Sequence, residues 1–459
     1  MATILFQAAG AALGSVFGPL GAIIGRAAGA LAGNMVDRAL IGGGTTVSGQ
    51  RLSAARLPGA AEGTGIPRLY GTARLGGTLI WATRFEEEAT TERSGAKATG
   101  PKVKTYRYFA NIAVGLCEGP VALVRRVWAD GDELDLSKVE MRVYSGREDQ
   151  LPDPLIEAKQ GTGKAPAYRG LAYVVFERLP LDDFGNRLPL LQFEVVRPVG
   201  RLEEMVRAVT VIPGATEHGY ATTPIKEKTG EGAARILNRN TLTAPSDWQA
   251  SIDELQALCP NLQDVALVVS WFGTDLRAGH CRVVPGVEVE SRNESRSWRV
   301  SGLTRSEARL VSRHDGGPAY GGTPDDRSVI EAIADLKARG LKVTLYPFVM
   351  MDIPDGNGLA DPYGGGEQAA YPWRGRITCH PAPGRPGSPN RSAAITGLVA
   401  DFCGTARAAD FDVSGTRVSY EGAGEGYRRM VLHYALLAAQ AGGVDGFLIG
   451  SELRGLTTL

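Results

Sequence analysis

Two common features are missing from this sequence: an excess of one charge and a cysteine framework. Lysine plus arginine and aspartate plus glutamate number 50 each, so no overall field draws the chain to nucleic acid or to an anionic membrane. We therefore expect no specific nucleic-acid binding. The five cysteines are scattered and contain no CxxC pair, which argues against a disulfide scaffold and fits synthesis in a reducing cytosol.

Motifs for cofactors and metals are also lacking. No Gly-x-Gly-x-x-Gly turn follows a predicted strand, so nothing favours a nucleotide cofactor. His280-Cys281 and Cys379-His380 are adjacent pairs without the second spaced pair that a zinc site requires. The sequence therefore predicts no cofactor and no metal. His218 and His433 are predicted to be a loop residue and a helix-surface residue.

The first residues carry no charge before Arg26 and are rich in glycine at helical spacing, which lets backbones approach closely. A signal peptide is disfavoured, because no lysine or arginine precedes the apolar stretch. Two hypotheses stay open for residues 1–44: a buried oligomer-core or pore-lining helix, or a membrane-inserting segment. Residues 1–50 are assigned to an apolar, Gly-rich helical arm. Its predicted oligomer or pore glycines are Gly10, Gly14, Gly18, Gly25, Gly29 and Gly33.

Residues 51–200 are predicted to form a β-rich domain. The stretch Tyr168–Arg197 holds two apolar, β-branched and aromatic runs separated by LDDFGN, a cluster typical of tight turns. We predict that these runs form an antiparallel pair. The predicted core-facing members of the pair are Tyr173, Val175, Phe193 and Val195.

The pattern of predicted secondary structure changes after residue 200. Residues 201–245 are predicted to be a linker, and residues 246–459 alternate helical and buried-strand patterns, which indicates a parallel sheet in a barrel or a doubly wound fold. The best-marked helix follows Thr323, the expected N-cap, with Pro324 in the first helical position. The strand LKVTLYPFVMMD is predicted to follow this helix. The earlier run VALVVSWFG is continuously apolar, which is typical of a strand buried on both faces.

Several motifs of the β-rich region resemble one family. They are Ile66-Pro67 with Tyr70-Gly71, Cys117-Glu118-Gly119, Asp130-Gly131-Asp132, and the Asp-Phe-Gly-Asn turn that follows Tyr-Arg-Gly-x-Ala-Tyr-Val. In this order they resemble the host-specificity tail-tip proteins of long-tailed phages, and above all the large tail protein of gene transfer agents, the phage-like particles of alphaproteobacteria. The resemblance covers about residues 60–200 and implies a β-rich tail-hub domain.

The strand end GFLIGSEL resembles the fourth-strand end of glycoside-hydrolase (β/α)8 barrels, which usually reads Asn-Glu where this chain has Ser451-Glu452. The resemblance implies a glycosidase-like barrel after the hub. Because a barrel needs closure, we expect only its first half here, with the natural protein continuing beyond Leu459 or the sequence being a fragment. The expected fold is multidomain: the Gly-rich arm, a mainly-β hub, then an α/β half-barrel.

Active residues of such barrels lie at the carboxyl ends of strands. This rule and the resemblance give Glu452 as the candidate catalytic residue and Trp271 and Asp352 as candidate glycan-binding residues. Trp373, in the long loop after Asp352, is a third candidate glycan-binding residue. His314 and Asp315 mark a further candidate strand end. Glycoside hydrolysis needs a second carboxylate, which the family takes from a strand absent here. A non-catalytic barrel with Glu452 in an ion pair or a ligand pocket therefore stays open. The loop 354–390, which carries Trp373, is predicted to be either a glycan-binding lid or a contact loop.

The resemblance implies a virion structural protein of a tail tip or baseplate hub, made in the bacterial cytoplasm. It would close the tail tube and take part in host attachment and DNA delivery. The implied partners are two further copies in a homotrimer, distal tail and hub proteins, and the host cell envelope, with transient membrane contact by residues 1–44. The alternatives are a glycoside hydrolase that cleaves cell-wall glycan during entry and a non-catalytic carbohydrate-binding barrel. Whether the chain is an enzyme stays open.

Overall fold

The structure is a computed structural model that divides into two compact units, residues 1–199 and 200–459. It describes residues 8–13, 15, 22, 25–30, 32, 47–48, 63, 65–93, 102–212 and 217–459. The fold is mixed α/β with many strands and few helices in the described residues. Each unit is described by itself below.

Residues 8–13 and 25–30 are helical. A Cβ atom added to Gly10 would lie 2.1 Å from the carbonyl oxygen of Gly25 and 3.1 Å from the Cα of Gly29, so the glycines allow a close backbone approach within one chain. Gly14, Gly18 and Gly33 lie outside the described residues. In the described part of the chain, no helix has both the length and the apolar character needed to cross a bilayer.

In the residues of the first unit that are described after residue 47, there are two sheets and one helix of more than three residues. Its strands and helix are β1 (Val47–Ser48), β2 (Gly71–Gly76), β3 (Thr78–Ala82), β4 (Glu86–Arg93), β5 (Lys102–Glu118), β6 (Leu123–Ala129), β7 (Asp132–Glu133), β8 (Glu140–Tyr144), α1 (Pro154–Gln160), β9 (Leu171–Pro180) and β10 (Leu191–Arg197). One sheet has the order β1-β5-β9-β8 with β3 and β4 also on β5, and the other has the order β2-β10-β6-β7. Apolar residues of both sheets form a shared core.

The predicted pairing of the two runs in Tyr168–Arg197 is wrong. Strand β9 pairs with β5 and β8, whereas β10 pairs with β2 and β6, so the two runs lie in different sheets. The predicted burial is confirmed, because Tyr173, Val175, Phe193 and Val195 are all fully buried. Strand β9 is buried on both faces, one by the shared core and the other by α1 with its own small cluster. A run that is apolar on both faces does not reveal which strand it joins.

The second unit is built around a parallel sheet. Its elements are α2 (Leu202–Met205), β11 (Ala208–Val211), β12 (Lys226–Gly230), β13 (Ala233–Ile236), α3 (Asp247–Leu258), β14 (Asp264–Gly273), β15 (Val283–Val284), β16 (Gly286–Val287), β17 (Arg299–Val300), β18 (Leu303–Thr304), β19 (Arg309–Leu310), β20 (Arg313–His314), β21 (Gly317–Pro318), α4 (Asp326–Ala338), β22 (Lys342–Met351), α5 (Ala394–Cys403), β23 (Phe411–Ser414), β24 (Arg417–Tyr420), α6 (Tyr427–Gln440), β25 (Gly446–Phe447) and α7 (Arg454–Thr457). The parallel strands run in the order β11-β14-β22-β25. Among the described residues this sheet does not close into a barrel.

The segment 201–245 is not a linker, which corrects the sequence prediction. Strand β11 lies within it and pairs with β14 from Ala208↔Asp264 to Val211↔Leu267. Tyr220 is fully buried, and its hydroxyl donates to the carbonyl oxygen of Val268 at 2.6 Å. This segment therefore supplies the first strand of the sheet and part of its core.

Alternate residues of the parallel strands face the helices. Val265, Val269 and Trp271 of β14 belong to one core with residues of α3, α4 and α6. The other face of β22 carries Tyr346 and Phe348, which are only partly buried. The parallel sheet thus has a helix-covered side and a more open side.

Helix α4 begins two residues later than predicted. Its N-cap is Asp325, whose carboxylate accepts from the backbone N–H of Ser328 at 3.2 Å. Thr323, the expected cap, is buried instead, and its hydroxyl donates to the carbonyl oxygen of Ser270 at 2.8 Å. The threonine joins the helix entry to strand β14.

Candidate functional site at the carboxyl ends of the parallel strands

Glu452 lies just beyond the last parallel strand, at the edge where the carboxyl ends of β14, β22 and β25 meet. Its backbone has a φ of 53°, a left-handed conformation that is uncommon outside glycine, asparagine and aspartate. The side chain is about half exposed, at 51%. The turn thus holds the carboxylate at the surface at a conformational cost.

Two neighbouring residues of the loop between β22 and α5 contact this carboxylate. The indole Nε1 of Trp373 donates to Oε2 of Glu452 at 2.6 Å. Arg374 Nη2 lies 3.1 Å from the same oxygen. The Trp373 side chain is itself exposed, with 48% of the residue accessible to solvent. The structure therefore brings Glu452 and Trp373 together.

Arg374 is the buried residue that holds this arrangement in place. It is 5% exposed, and its guanidinium carbon lies 3.5 Å from the centre of the Phe348 ring on the open face of β22. Its Nε and Nη2 donate to the carbonyl oxygen and the hydroxyl of Ser451, each at 3.1 Å. The Ser451 hydroxyl also lies 2.6 Å from the hydroxyl of Tyr346. Strand β22, the loop and the end of β25 are thereby joined through one buried guanidinium.

Trp271 does not belong to this site, although it was predicted to bind glycan. It is fully buried, and its Nε1 donates to the hydroxyl of Tyr434 at 3.1 Å. Its ring faces α6, where it packs with Tyr434 and His433. A sugar cannot stack on an indole that has no exposed face, so the tryptophan is a core residue.

Asp352 is also buried away from Glu452. Its carboxylate accepts from Arg309 Nε at 2.8 Å and from the backbone N–H of Ser312 at 3.2 Å, and the residue is 1% exposed. His314 and Asp315 do not mark the end of a parallel strand. His314 ends the short antiparallel strand β20, Asp315 follows in the turn to β21, and both side chains are exposed. Of the predicted glycan-binding residues, only Trp373 therefore lies beside Glu452.

A buried ionic cluster in the same unit was missed by the sequence interpretation. His218, predicted to be a loop residue, is 1% exposed. Its Nδ1 lies 2.8 Å from Asp325 Oδ2 and its Nε2 lies 3.0 Å from Glu294 Oε2. Burial opposes protonation of the imidazole, but these two hydrogen bonds and carboxylate charges outweigh it and raise the pKa of His218 to about 9. The imidazole is a buried cation that bridges two carboxylates.

Arginines complete this cluster. Arg305 Nη1 donates to both carboxylate oxygens of Glu217 at 2.7 Å, and its Nη2 lies 3.1 Å from Glu294 Oε2. Arg292 Nη1 adds a contact to Glu217 at 3.2 Å. The cluster connects residues 217–218, the segment between β14 and α4, and the N-terminus of α4. Its role is therefore to stabilise the fold.

His433 is buried as well, which corrects its predicted place on a helix surface. Its Nε2 lies 2.9 Å from Asp326 Oδ1, and burial raises the pKa of Asp326 despite this histidine contact. No grouping of three or more histidine, cysteine, aspartate or glutamate side chains suited to a metal ion occurs in the described ranges.

Comparisons with known proteins match part of this unit. Residues 425–459, from just before α6 to the chain end, match the family model described as the GTA TIM-barrel-like domain. Over these residues the chain is similar to the domain that this model describes. The matched stretch contains Ser451 and Glu452 but not Trp373 or Arg374. No curated protein matches the chain.

One solved structure with a matching chain is described as "Virion of native gene transfer agent (GTA) particle". The match has 40% sequence identity, covers 41% of this chain and 44% of that chain, and has a TM-score of 0.28. This chain thus spans less than half the length of that relative.

Proposed function

We propose that this protein is a structural component of a phage-like virion, located in the tail tip or baseplate hub. The observation that carries the proposal is the match of residues 425–459 to the GTA TIM-barrel-like domain. The ordered tail-tip motifs around Cys117, Asp130 and Phe184 support the same assignment from the other unit. In this role the protein closes the tail tube and takes part in host attachment and DNA delivery.

The proposed organisation is an arm of residues 1–50, a tail-hub domain and a half-barrel. The two-sheet first unit, with the 17-residue strand β5 at its centre, offers long edges and surfaces to neighbouring subunits. The parallel order β11-β14-β22-β25 supports the half-barrel. The proposed partners are two further copies in a trimer, distal tail and hub proteins, and the host envelope.

Imaging of intact particles tests this role directly. Particles carrying an epitope tag in this chain should show the label at the tail tip, with three copies around the tube in the reconstruction. Cells that lack the protein should release tailless or tip-deficient particles that fail to transfer DNA. A purified chain that occurs only as a free monomer, with no label on any particle, would contradict the proposal.

A second candidate function is carbohydrate binding without turnover. The observation that favours it is the exposed Trp373 ring beside Glu452, because an indole face stacks on sugars and a carboxylate accepts their hydroxyl groups. The carboxylate is engaged by an indole N–H and a guanidinium, whereas the carboxylate of Asp352, a predicted glycan-binding residue, is buried in a pair with Arg309. A binding role therefore fits these residues better than hydrolysis, which needs two available carboxyls.

Cell-wall glycan incubated with the protein separates binding from hydrolysis. A binding barrel retains the glycan and releases no new reducing ends. Release of reducing ends that is lost in Glu452→Gln would instead identify a glycoside hydrolase.

A further inference from the structure

The surface around Glu452 is not neutral, because Arg374 contacts its carboxylate and two more arginines lie in the backbone segments on either side, the turn Arg374–Arg376 and helix α7. We define the arginine–tryptophan rim as Trp373, Arg374, Arg376, Glu452 and Arg454. These residues carry three guanidinium groups and one carboxylate, so positive charge is in excess within the rim.

The backbone brings the two halves of the rim into contact. A Cβ atom added to Gly455 of α7 would lie 2.8 Å from the carbonyl oxygen of Gly375 and 2.4 Å from that of Ile377, so α7 rests on the turn that carries the loop arginines. A Cβ atom added to Gly375 would lie 2.4 Å from the ring of Trp373. The glycine thus lets the indole lie over the turn, beside the helix that carries Arg454.

Two of the three arginines remain available to a ligand. Arg376 and Arg454 are exposed, and neither has a carboxylate within ion-pairing distance among the residues that the structure describes. Arg376 rests on the Tyr363 ring, with its guanidinium carbon 4.4 Å from the ring centre. Stacking of this kind holds a guanidinium in place while its N–H groups stay free to bind anions.

Arg374 differs from these two arginines because it is buried and already contacts Ser451 and Glu452. Its Nε and Nη2 are committed to Ser451 and Glu452. Nη1 makes no hydrogen bond to any residue in the described ranges, and it is not a fully buried atom. A guanidinium in a fixed orientation with one nitrogen left over is suited to a carboxylate or phosphate oxygen.

We propose that the arginine–tryptophan rim binds acidic polysaccharide, that is, a glycan whose sugars bear carboxylate or phosphate groups. The inference rests on the proposed carbohydrate-binding role and names the class of glycan. The indole face takes the apolar face of a sugar ring, the arginines take the acidic groups, and Glu452 accepts sugar hydroxyls. The carboxylate argues against a duplex DNA ligand, because a phosphodiester backbone offers it no donor and repels it.

The test compares an acidic polysaccharide with a neutral one, and with duplex DNA as a polyanion that is not a polysaccharide. The full 459-residue protein is titrated with polygalacturonate, with neutral dextran and with duplex DNA, at low and at physiological salt. We expect polygalacturonate to bind at least about tenfold more tightly than dextran, with salt weakening it. Equal binding of dextran overturns the acidic-glycan inference and leaves carbohydrate binding in place. Tighter binding of DNA overturns it in favour of a nucleic-acid surface.

Variants assign the binding to the rim. The double variant Arg376→Ser/Arg454→Ser should lose about tenfold in affinity for polygalacturonate. Its matched control, Arg299→Ser/Arg417→Ser, removes two exposed arginines from the hairpins β17–β18 and β23–β24 and should bind as the parent does. Equal losses of affinity in both variants would mean that the overall charge of the protein, and not the rim, determines binding. This result would overturn the assignment. Failure of every glycan to bind, with the protein still located in particles, overturns the carbohydrate role but not the virion role.

Discussion

The second unit contains two clusters of ion pairs that differ in burial. Around His218, the carboxylates of Glu217 and Asp325 are at most 3% exposed, and Arg305 is almost as buried. At the rim, Arg374 is buried but its carboxylate partner Glu452 is half exposed and has a left-handed backbone. The buried cluster satisfies its own charges and fixes the fold. The rim leaves charge and an aromatic face open to solvent, as the proposed glycan-binding role requires.

The largest expected effect follows from breaking the buried cluster. Arg305→Met leaves the carboxylates of Glu217 and Glu294 without their main cation, and we expect a loss of about 3–5 kcal/mol in the free energy of unfolding. Urea unfolding followed by far-UV circular dichroism measures it. Arg299→Met, which removes an exposed arginine, should change the value by less than about 0.5 kcal/mol. Similar small losses in both variants would mean that the cluster does not fix the fold.

The second prediction concerns pH. Since the folded pKa of His218, about 9, lies above its ordinary value of 6.5, its contribution to stability is complete below pH 6.5 and is lost as the pH rises through 9. The difference corresponds to a loss of about 3 kcal/mol. The free energy of unfolding, measured from pH 6 to about pH 10, should decrease as the pH rises from 6.5 to 9. The variant His218→Gln should show a flatter dependence on pH. A parent curve that is already flat would contradict the buried imidazolium.

The sequence predicts the positions of the parallel strands better than it predicts which of their residues contact the helices. The run that forms β14 is almost continuously apolar, so its burial is clear, but a strand buried on both faces does not show which residues meet the helices. For this reason Trp271 was assigned to the site although it lies under α6. Strand β11 escapes the sequence prediction because its alternation covers only four residues, AVTV, which is too short to stand out from the surrounding polar segment.

The buried histidine could not be found from local pattern. The partners of His218 lie 76 and 107 residues away along the chain, so only the tertiary fold reveals them. The proximity of Trp373 to Glu452 is easier to predict from the sequence, because strand ends and the loops that follow them gather at one edge of a parallel sheet. The contacts of Arg374 with Ser451 and Glu452 depend on the tertiary fold, because these residues lie 77 or more positions away along the chain.

A third, smaller effect tests the assignment of Trp271 to the core. Tyr434→Phe removes the acceptor of the Trp271 N–H, and leaving this buried donor unpaired should lower the free energy of unfolding by about 1–3 kcal/mol. Tyr70→Phe, at a tyrosine that is 64% exposed, serves as the control and should be nearly neutral. Both are measured by urea unfolding. Retained stability in Tyr434→Phe would mean that the indole N–H has another acceptor.

The smallest effect on stability is expected at the rim, where the effect on binding should be largest. Trp373→Ala removes an exposed indole and its hydrogen bond to Glu452, so the free energy of unfolding should fall by less than about 1 kcal/mol. Glycan affinity should nevertheless fall by about tenfold or more, because the stacking surface is lost. Trp271→Phe should behave in the opposite way, lowering stability with little change in the glycan affinity of the folded protein. If both variants lose stability and binding together, the apolar core and the rim do not have separate roles in folding and recognition, since the rim would then depend on the core.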